Sequence, residues 1–201
     1  MNSKILVLMA GTALAVAACA KHENANTSGA DTGNASDLNM TTDNGAMGNS
    51  GATATTTAPA PTTAQGFVNA AAASDKFEIE SSKLAATAAS SAAVKRFATQ
   101  MISAHTASTA KLKSTVAGMS PPLTPDDTLS PDQQQKLDSL KGLNGAAFDS
   151  AYKTAQTEAH QKTLDTLRTY SASGDNAALK AFASKMIPTV TAHLNIAMGL
   201  K

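Results

Sequence analysis

Apolar residues in the second half of the chain recur at steps of three and four positions, which is the spacing of one face of an α-helix. Four stretches show this spacing, and their apolar positions begin at Phe67, Val94, Phe148 and Leu179. The phase of the pattern breaks between the first two stretches, so one continuous helix could not bury both faces. The pattern therefore predicts four amphipathic helices, with a turn at residues 89–91 between the first two.

Residues that commonly cap helices stand at the ends of these stretches. Ser90 or Ser91 is expected to be the N-cap of the second helix, over residues 91–119. Gly174 is expected to end the third helix, and the fourth helix is expected over residues 177–201. These capping residues therefore predict that the first two helices form one pair and the last two another, each pair being joined by a short turn.

A long link, over about residues 120–145, joins the two pairs. It contains good start signals for a short helix: Ser130 as N-cap, Pro131 in the first turn and Gln133 closing a capping box. A helix of about 28 residues is about 40 Å long, and a link of this length can return along it. We therefore expect a crossover that contains a short helix.

Two stretches of eleven residues have almost the same sequence: AAVKRFATQMI at 92–102 and AALKAFASKMI at 177–187. This repetition favours a duplicated helical hairpin, although convergence of two alanine-rich amphipathic helices would also explain it. Two hairpins joined by one long crossover make the ferritin-like variant of the four-helix bundle. The predicted fold class is therefore all-α, with this bundle over residues 66–201.

The start of the chain has the features of an export signal, assigned to residues 1–18. Lys4 precedes an apolar run from Ile5 to Val16, which is too short to span a bilayer and suits a secretory signal. The residues up to Cys19 resemble the lipobox of bacterial lipoproteins. That resemblance implies cleavage before Cys19 and its acylation, whereas an ordinary cleavable signal with a chance cysteine is the alternative.

Residues 19–65 consist mainly of Ala, Thr, Asn, Gly, Ser and Pro. A segment with so few large apolar side chains cannot bury enough surface to offset its ordering entropy, so we expect a disordered tether. Ala20, directly after the cysteine, favours the outer membrane over the inner membrane. The expected location is therefore the periplasmic side of the outer membrane, with the membrane contacted through the lipid anchor.

Composition excludes several classes of function. The net charge is +1, aromatic residues make up 3% of the chain, and there is no Trp, so the sequence lacks the basic, aromatic groove of a nucleic-acid-binding protein. It also lacks a phosphate-binding glycine loop, a GxSxG nucleophile elbow and a CxxC motif. We therefore expect a protein that is not an enzyme and that needs no organic cofactor.

Three phrases resemble those of one bacterial family: VKRFATQMISAH, FDSAY followed by AH, and LKAFASKMIPTVTAHL. It is the domain-of-unknown-function family numbered four-one-four-two, described as outer-membrane or exported proteins, and the resemblance covers about residues 66–199. The resemblance implies a ferritin-like fold and export, but no reaction. An acidic residue often precedes the histidine of the second helix in this family, where the present chain has Ala104.

Many ferritin-like bundles hold two metal ions with Glu residues and Glu-x-x-His motifs. In this chain the residues three positions before the bundle's histidines are Ile102, Thr157 and Val190. The second and fourth predicted helices also contain no Asp or Glu. The sequence therefore excludes a di-iron carboxylate centre.

A smaller set of polar residues falls near the middle of the predicted helices: His105, His160 and His193, with Glu78 on the first helix. Counting residues along the helices from the hairpin turns places Glu78, His105 and His160 at one level along the bundle axis. His193 is expected one or two helical turns away from that level. Imidazoles with one carboxylate suit a divalent ion such as Zn²⁺ or Cu²⁺. A buried cluster in which each histidine is hydrogen-bonded would explain the same positions.

Two hypotheses of function follow. The first is a non-enzymatic, lipid-anchored helical bundle of the cell envelope, with a structural or stress-related binding role. The second is a periplasmic metal-binding bundle that uses the three histidines and Glu78. Both hypotheses place the protein outside the cytoplasm, and they differ in whether the imidazoles share a metal ion.

Overall fold

The computed structural model describes residues 59–201. The predicted signal peptide, the lipidation site Cys19 and residues 19–58 of the predicted tether lie outside the described residues. Within them the chain forms five α-helices: α1 (Ala64–Ala88), α2 (Ala92–Ala117), α3 (Pro131–Lys141), α4 (Gly145–Ser173) and α5 (Ala177–Gly199).

The four long helices form two hairpins, α1 with α2 and α4 with α5, and the prediction of an all-α bundle is confirmed. α1 packs against α4, and α2 packs against α5. The crossover between the hairpins carries the short helix α3, which packs on α1 and α4. α1 begins at Ala64, two residues before the start that the sequence pattern suggested for the bundle.

The helix ends follow local capping chemistry, because the first N–H groups of a helix have no partner within it. Ser91 caps α2, and its hydroxyl accepts from the backbone N–H of Val94. Ser130 and Gln133 form the predicted capping box at the start of α3. Gly174 ends α4. These predicted caps are confirmed.

Asp149 of α4 ties the two hairpins together at one end of the bundle. Its carboxylate accepts from the backbone N–H of Ser90 at 3.2 Å and from that of Ser91 at 2.9 Å. A carboxylate beside the first turn of α2 also interacts favourably with the positive end of the helix dipole. The contact therefore fixes the start of α2 against α4.

Two apolar clusters fill the bundle: Phe97, Phe148 and Tyr152 belong to one, and Phe67 and Leu164 belong to the other. Buried polar residues lie near the middle of the long helices, around the boundary between these clusters. We call this set the polar belt: Asp75, Glu78, Ser81, Ser82, His105, Ser108, Gln156, His160 and His193.

None of the helices within residues 59–201 combines the length and the apolar character that crossing a bilayer requires.

Candidate metal centre

Three helices contribute one histidine each to the centre of the polar belt: His105 from α2, His160 from α4 and His193 from α5. Their side chains are almost fully buried, with His160 only 1% exposed. The ring centroids lie 5.6 Å apart for His105 and His160, and 5.8 Å apart for His105 and His193. The third distance, between His160 and His193, is 5.6 Å.

The three rings therefore form a nearly equilateral triangle, which we call the histidine triad. His193 lies at the same level as the other two histidines, so the expected offset of one or two turns is wrong. That expectation came from counting residues along each helix, whereas the axial shift between the hairpins is set by how their side chains pack.

Each ring of the triad has one buried nitrogen that finds no hydrogen-bond partner among the described residues. These atoms are Nε2 of His105, Nε2 of His160 and Nδ1 of His193. The triad offers one ligand atom per histidine, and these atoms all lie within 4.8 Å of one another. Leaving such an atom buried and unpaired costs about 1–3 kcal/mol, so three together need a physical explanation.

Asp75 of α1 holds the outer side of the His105 ring. Oδ1 of Asp75 lies 2.7 Å from Nδ1 of His105, and Oδ2 of Asp75 accepts from Thr109 at 3.0 Å. Asp75 is itself buried, with 5% of the residue exposed. A hydrogen on Nδ1 donated to this carboxylate fixes the ring orientation and directs Nε2 towards the other two histidines.

A backbone carbonyl fixes the orientation of the His160 ring in the same way. Nδ1 of His160 donates to the carbonyl oxygen of Gln156, one turn earlier on α4, at 2.8 Å. Because the hydrogen then resides on Nδ1, Nε2 carries a free lone pair directed into the triad. Two of the three rings are thus held in the tautomer that a metal ligand requires.

Glu78 lies beside the triad rather than within its set of ligand atoms. Its Oε1 is 3.5 Å from Nδ1 of His160, the nitrogen whose hydrogen goes to Gln156. Both carboxylate oxygens of Glu78 are buried without a hydrogen-bond partner in residues 59–201. The structure thus brings all four predicted residues into the polar belt, with Glu78 behind the His160 ring.

Burial controls the charge of the triad. It lowers the pKa of His160 to about 3 and the pKa of His193 to about 4, and the charge of His105 acts in the same direction on both. Both rings are therefore neutral at pH 7, with lone pairs available to a metal ion.

His105 behaves differently from the other two rings. Burial lowers the pKa of its ring, but the hydrogen bond that the ring donates to Asp75 and the nearby carboxylate charges outweigh that effect, and the pKa is raised. Burial also raises the pKa of Glu78 to about 7, against the opposing influence of His105. A metal ion that binds Nε2 of His105 therefore competes with protonation of that ring.

Sequence reasoning missed Asp75. The residue lies three positions before Glu78, on the same side of α1, and this spacing was a signal that the pattern contained. Steps of three and four residues from Phe67 lead to Ser74, which is only half-buried, and not to its buried neighbour Asp75. Asp75 was consequently not considered for the interior of the bundle.

Comparisons with known proteins give a family and a fold. The model of a family described as "Domain of unknown function (DUF4142)" matches residues 49–200. No curated protein matches the sequence. A similar solved structure is that of CopM in the Cu(II)-bound form, with a TM-score of 0.57 at 14% sequence identity. The similarity covers 68% of this chain and 94% of the CopM chain.

Proposed function

This chain belongs to the DUF4142 family, and we propose that it is an exported, non-catalytic helical bundle that binds one copper(II) or zinc(II) ion through the histidine triad. His105, His160 and His193 supply one ring nitrogen each. Asp75 and the Gln156 carbonyl hold two of the rings in the required tautomer. The metal ion is the ligand of a binding protein and takes part in no reaction.

The observation that carries this proposal is the convergence of three buried, unpartnered ring nitrogens. A hydrogen-bonded polar cluster, the alternative left open by the sequence, would use both nitrogens of each ring. In the structure the outer nitrogens of His105 and His160 are hydrogen-bonded, while the inner ones have no partner among the described residues. A metal ion satisfies all three inner nitrogens at once.

The ligand chemistry narrows the choice of metal. Imidazole nitrogens suit copper and zinc, whereas the hard cations Ca²⁺ and Mg²⁺ prefer oxygen ligands. Nitrogens bound to one tetrahedral zinc lie about 3.4 Å apart, given bond lengths of about 2.0–2.1 Å. The ligand atoms of the triad, which lie within 4.8 Å of one another, must reach this spacing on binding. The similarity in fold to the Cu(II)-bound CopM structure supports copper as the first metal to test.

Burial of the triad supports binding rather than catalysis. The exposed fractions of the three histidines are 5%, 1% and 5%, so a substrate could not reach a bound ion without separation of the helices. Three nitrogens leave one position of a tetrahedral ion open, as in catalytic zinc sites, but catalysis also requires substrate to reach that position. A closed site at the centre of a bundle is suited to holding an ion.

Equilibrium dialysis of the purified protein against copper(II) or zinc(II), followed by elemental analysis, tests the proposal. We expect one ion per chain for the wild-type protein and none for His160→Gln, because that variant lacks the most buried ligand. His22→Gln, which removes the one histidine outside the bundle, is the matched control and should retain the ion. Equal metal content in wild type and His160→Gln would contradict the proposal.

We also propose that the bundle is held at the periplasmic side of the outer membrane through an acylated Cys19, and that it serves a stress-related role there. The lipobox-like sequence before Cys19 supports this anchoring. Labelled fatty acid is expected on the wild-type protein and not on Cys19→Ala, which should leave the membrane fraction. A Cys19→Ala protein that still fractionates with membranes, together with an unlabelled wild type, would exclude the anchor.

A further inference from the structure

The three rings of the histidine triad are not held equally. The outer nitrogens of His105 and His160 are hydrogen-bonded to Asp75 and to the Gln156 carbonyl. His193 has no such anchor within residues 59–201: its Nδ1 is buried without a partner, and its Nε2 makes no hydrogen bond and is not fully buried. His193 is therefore the ring of the triad that can turn most freely, and its second nitrogen reaches solvent.

An open groove of about 600 Å³ lies between α2 and α5, and one end of it reaches the level of the triad. We call it the α2–α5 groove. Its lining includes Ala104, the neighbour of His105, and Thr189, which lies one helical turn before His193. Met186, two turns before His193, lines it as well. The groove thus runs along the side of α5 that carries His193.

The opposite side of the bundle is closed by a hydrogen bond and by the crossover. The hydroxyl groups of Ser74 on α1 and Thr163 on α4 lie 2.8 Å apart, and α3 packs on both helices. By contrast, no hydrogen bond joins α2 directly to α5 in the part of the chain that the structure describes. The bond from Ser91 to the Lys201 carbonyl lies beyond the ends of both helices.

The backbone of α5 is also interrupted beside the groove. Pro188 lies inside α5, five residues before His193. Proline has no N–H to donate to the carbonyl four residues earlier, and sharp bends in helices occur most often at such positions. The contact between α2 and α5 is therefore the one that the structure holds least firmly near the triad.

We propose that the metal ion enters and leaves the histidine triad through the α2–α5 groove, and that His193 is the first ligand it meets. This inference rests on the proposed binding of copper(II) or zinc(II) by the triad. A ring without a hydrogen-bonded anchor can turn towards the groove, bind the ion with a ring nitrogen and turn back. The ion then reaches His105 and His160, whose rings are already held in the tautomer that binds it.

Positive charge in the groove makes this route testable. Lys111 and Lys185 line the groove, and neither takes part in an ion pair within residues 59–201. Lys111 lies about 9 Å along α2 from His105, and Lys185 lies about 12 Å along α5 from His193. Ammonium groups this close to the route repel a divalent cation, so they slow its uptake without changing the number of ions bound.

Rapid mixing of the metal-free full-length protein with copper(II), stopped at intervals with excess EDTA, measures the rate of uptake as copper that stays with the protein. In about 20 mM salt, Lys111→Gln/Lys185→Gln should take up copper about three- to fivefold faster than the wild type. The difference should fall below about twofold in about 300 mM salt, because salt screens exposed charges.

Lys141→Gln/Lys162→Gln is the matched control for this charge effect. It makes the same change in net charge on α3 and α4, and Lys162 lines the pocket between α1 and α4. This double variant should take up copper at the wild-type rate.

A second pair of variants tests the route by filling space. Thr189→Leu places a larger side chain at the end of the groove beside His193 and should slow uptake at least about tenfold, while dialysis still gives one ion per chain. Thr166→Leu makes the same change in the pocket between α1 and α4 and should leave the rate unchanged. Circular dichroism should show that all variants are folded.

The outcomes separate this inference from the proposed function. Wild-type rates in both Thr189→Leu and Lys111→Gln/Lys185→Gln, with one ion still bound per chain, would overturn the entry route and leave metal binding by the triad in place. Slower uptake in Thr166→Leu alone would overturn it as well, because the entrance would then lie between α1 and α4. A wild-type protein that binds no ion at all would contradict the proposed function itself, and this inference with it.

Discussion

Saturating copper(II) or zinc(II) is expected to raise the unfolding free energy of the protein by about 3–4 kcal/mol. A ligand that binds only the folded state stabilises it by about 2.7 kcal/mol at 100 times its Kd and by about 4.1 kcal/mol at 1,000 times. The histidine triad exists only when α2, α4 and α5 are packed together, so this condition applies. Thermal unfolding followed by circular dichroism measures the shift, which should be of the order of 10 °C.

Two substitutions show which residues produce this stabilisation. His160→Gln removes a ligand and should abolish the shift at metal concentrations that saturate the wild type. Asp75→Asn keeps all three ligand nitrogens but weakens the partner of Nδ1 of His105. It should reduce metal affinity by about 10–100-fold, as is usual for partners of metal-bound histidines.

Asp165→Asn, at an exposed position of α4, is the control for removing a negative charge and should bind metal like the wild type. An equal thermal shift in wild type and His160→Gln would mean that the metal ion binds elsewhere, and the triad would then be only a polar cluster. Unchanged metal affinity in Asp75→Asn would contradict the proposal that Asp75 orients the His105 ring. It would not contradict the proposal that the triad binds the metal ion.

The helices and their ends could be predicted because they depend on neighbours in the sequence. A serine that caps α2 and a capping box at Ser130 and Gln133 act within one turn, and the apolar period of each helix is local as well. The repeat that relates α2 to α5 then indicated the pairing of helices into hairpins. Apart from that repeat, no comparison between distant parts of the chain was needed for these predictions.

The arrangement of the site depended on packing between helices, and here the sequence was less informative. The burial of Asp75 follows from the fact that α1 contacts three helices, α2, α3 and α4, which widens its buried face beyond one stripe. Val68, Asp75 and Ser82 are buried in consequence, while Leu84 is only partly buried. The spacing of apolar residues along one helix does not show how wide its buried face becomes when several helices pack on it.

Glu78 has an unusual position for a carboxyl group, because nearly all of it is buried and neither oxygen has a partner in the described part of the chain. Burial raises its pKa from 4.5 to about 7. The folded state therefore binds more protons than the unfolded state between these values, and ionisation of Glu78 destabilises the fold as the pH rises. The destabilisation begins above pH 4.5 and is complete above pH 7.

Glu78→Gln is therefore expected to gain stability relative to the wild type as the pH rises, by about 2–3 kcal/mol between pH 5 and pH 8 in metal-free protein. One unit of pKa shift corresponds to about 1.36 kcal/mol, which sets this magnitude. Urea unfolding at several pH values measures the difference, and comparison across pH cancels any constant effect of the amide. Glu80→Gln, at an exposed position paired with Lys83, should show no such trend. A difference between Glu78→Gln and the wild type that stays constant from pH 5 to pH 8 would mean that Glu78 is charged in both states, and therefore that water or a cation reaches it inside the bundle.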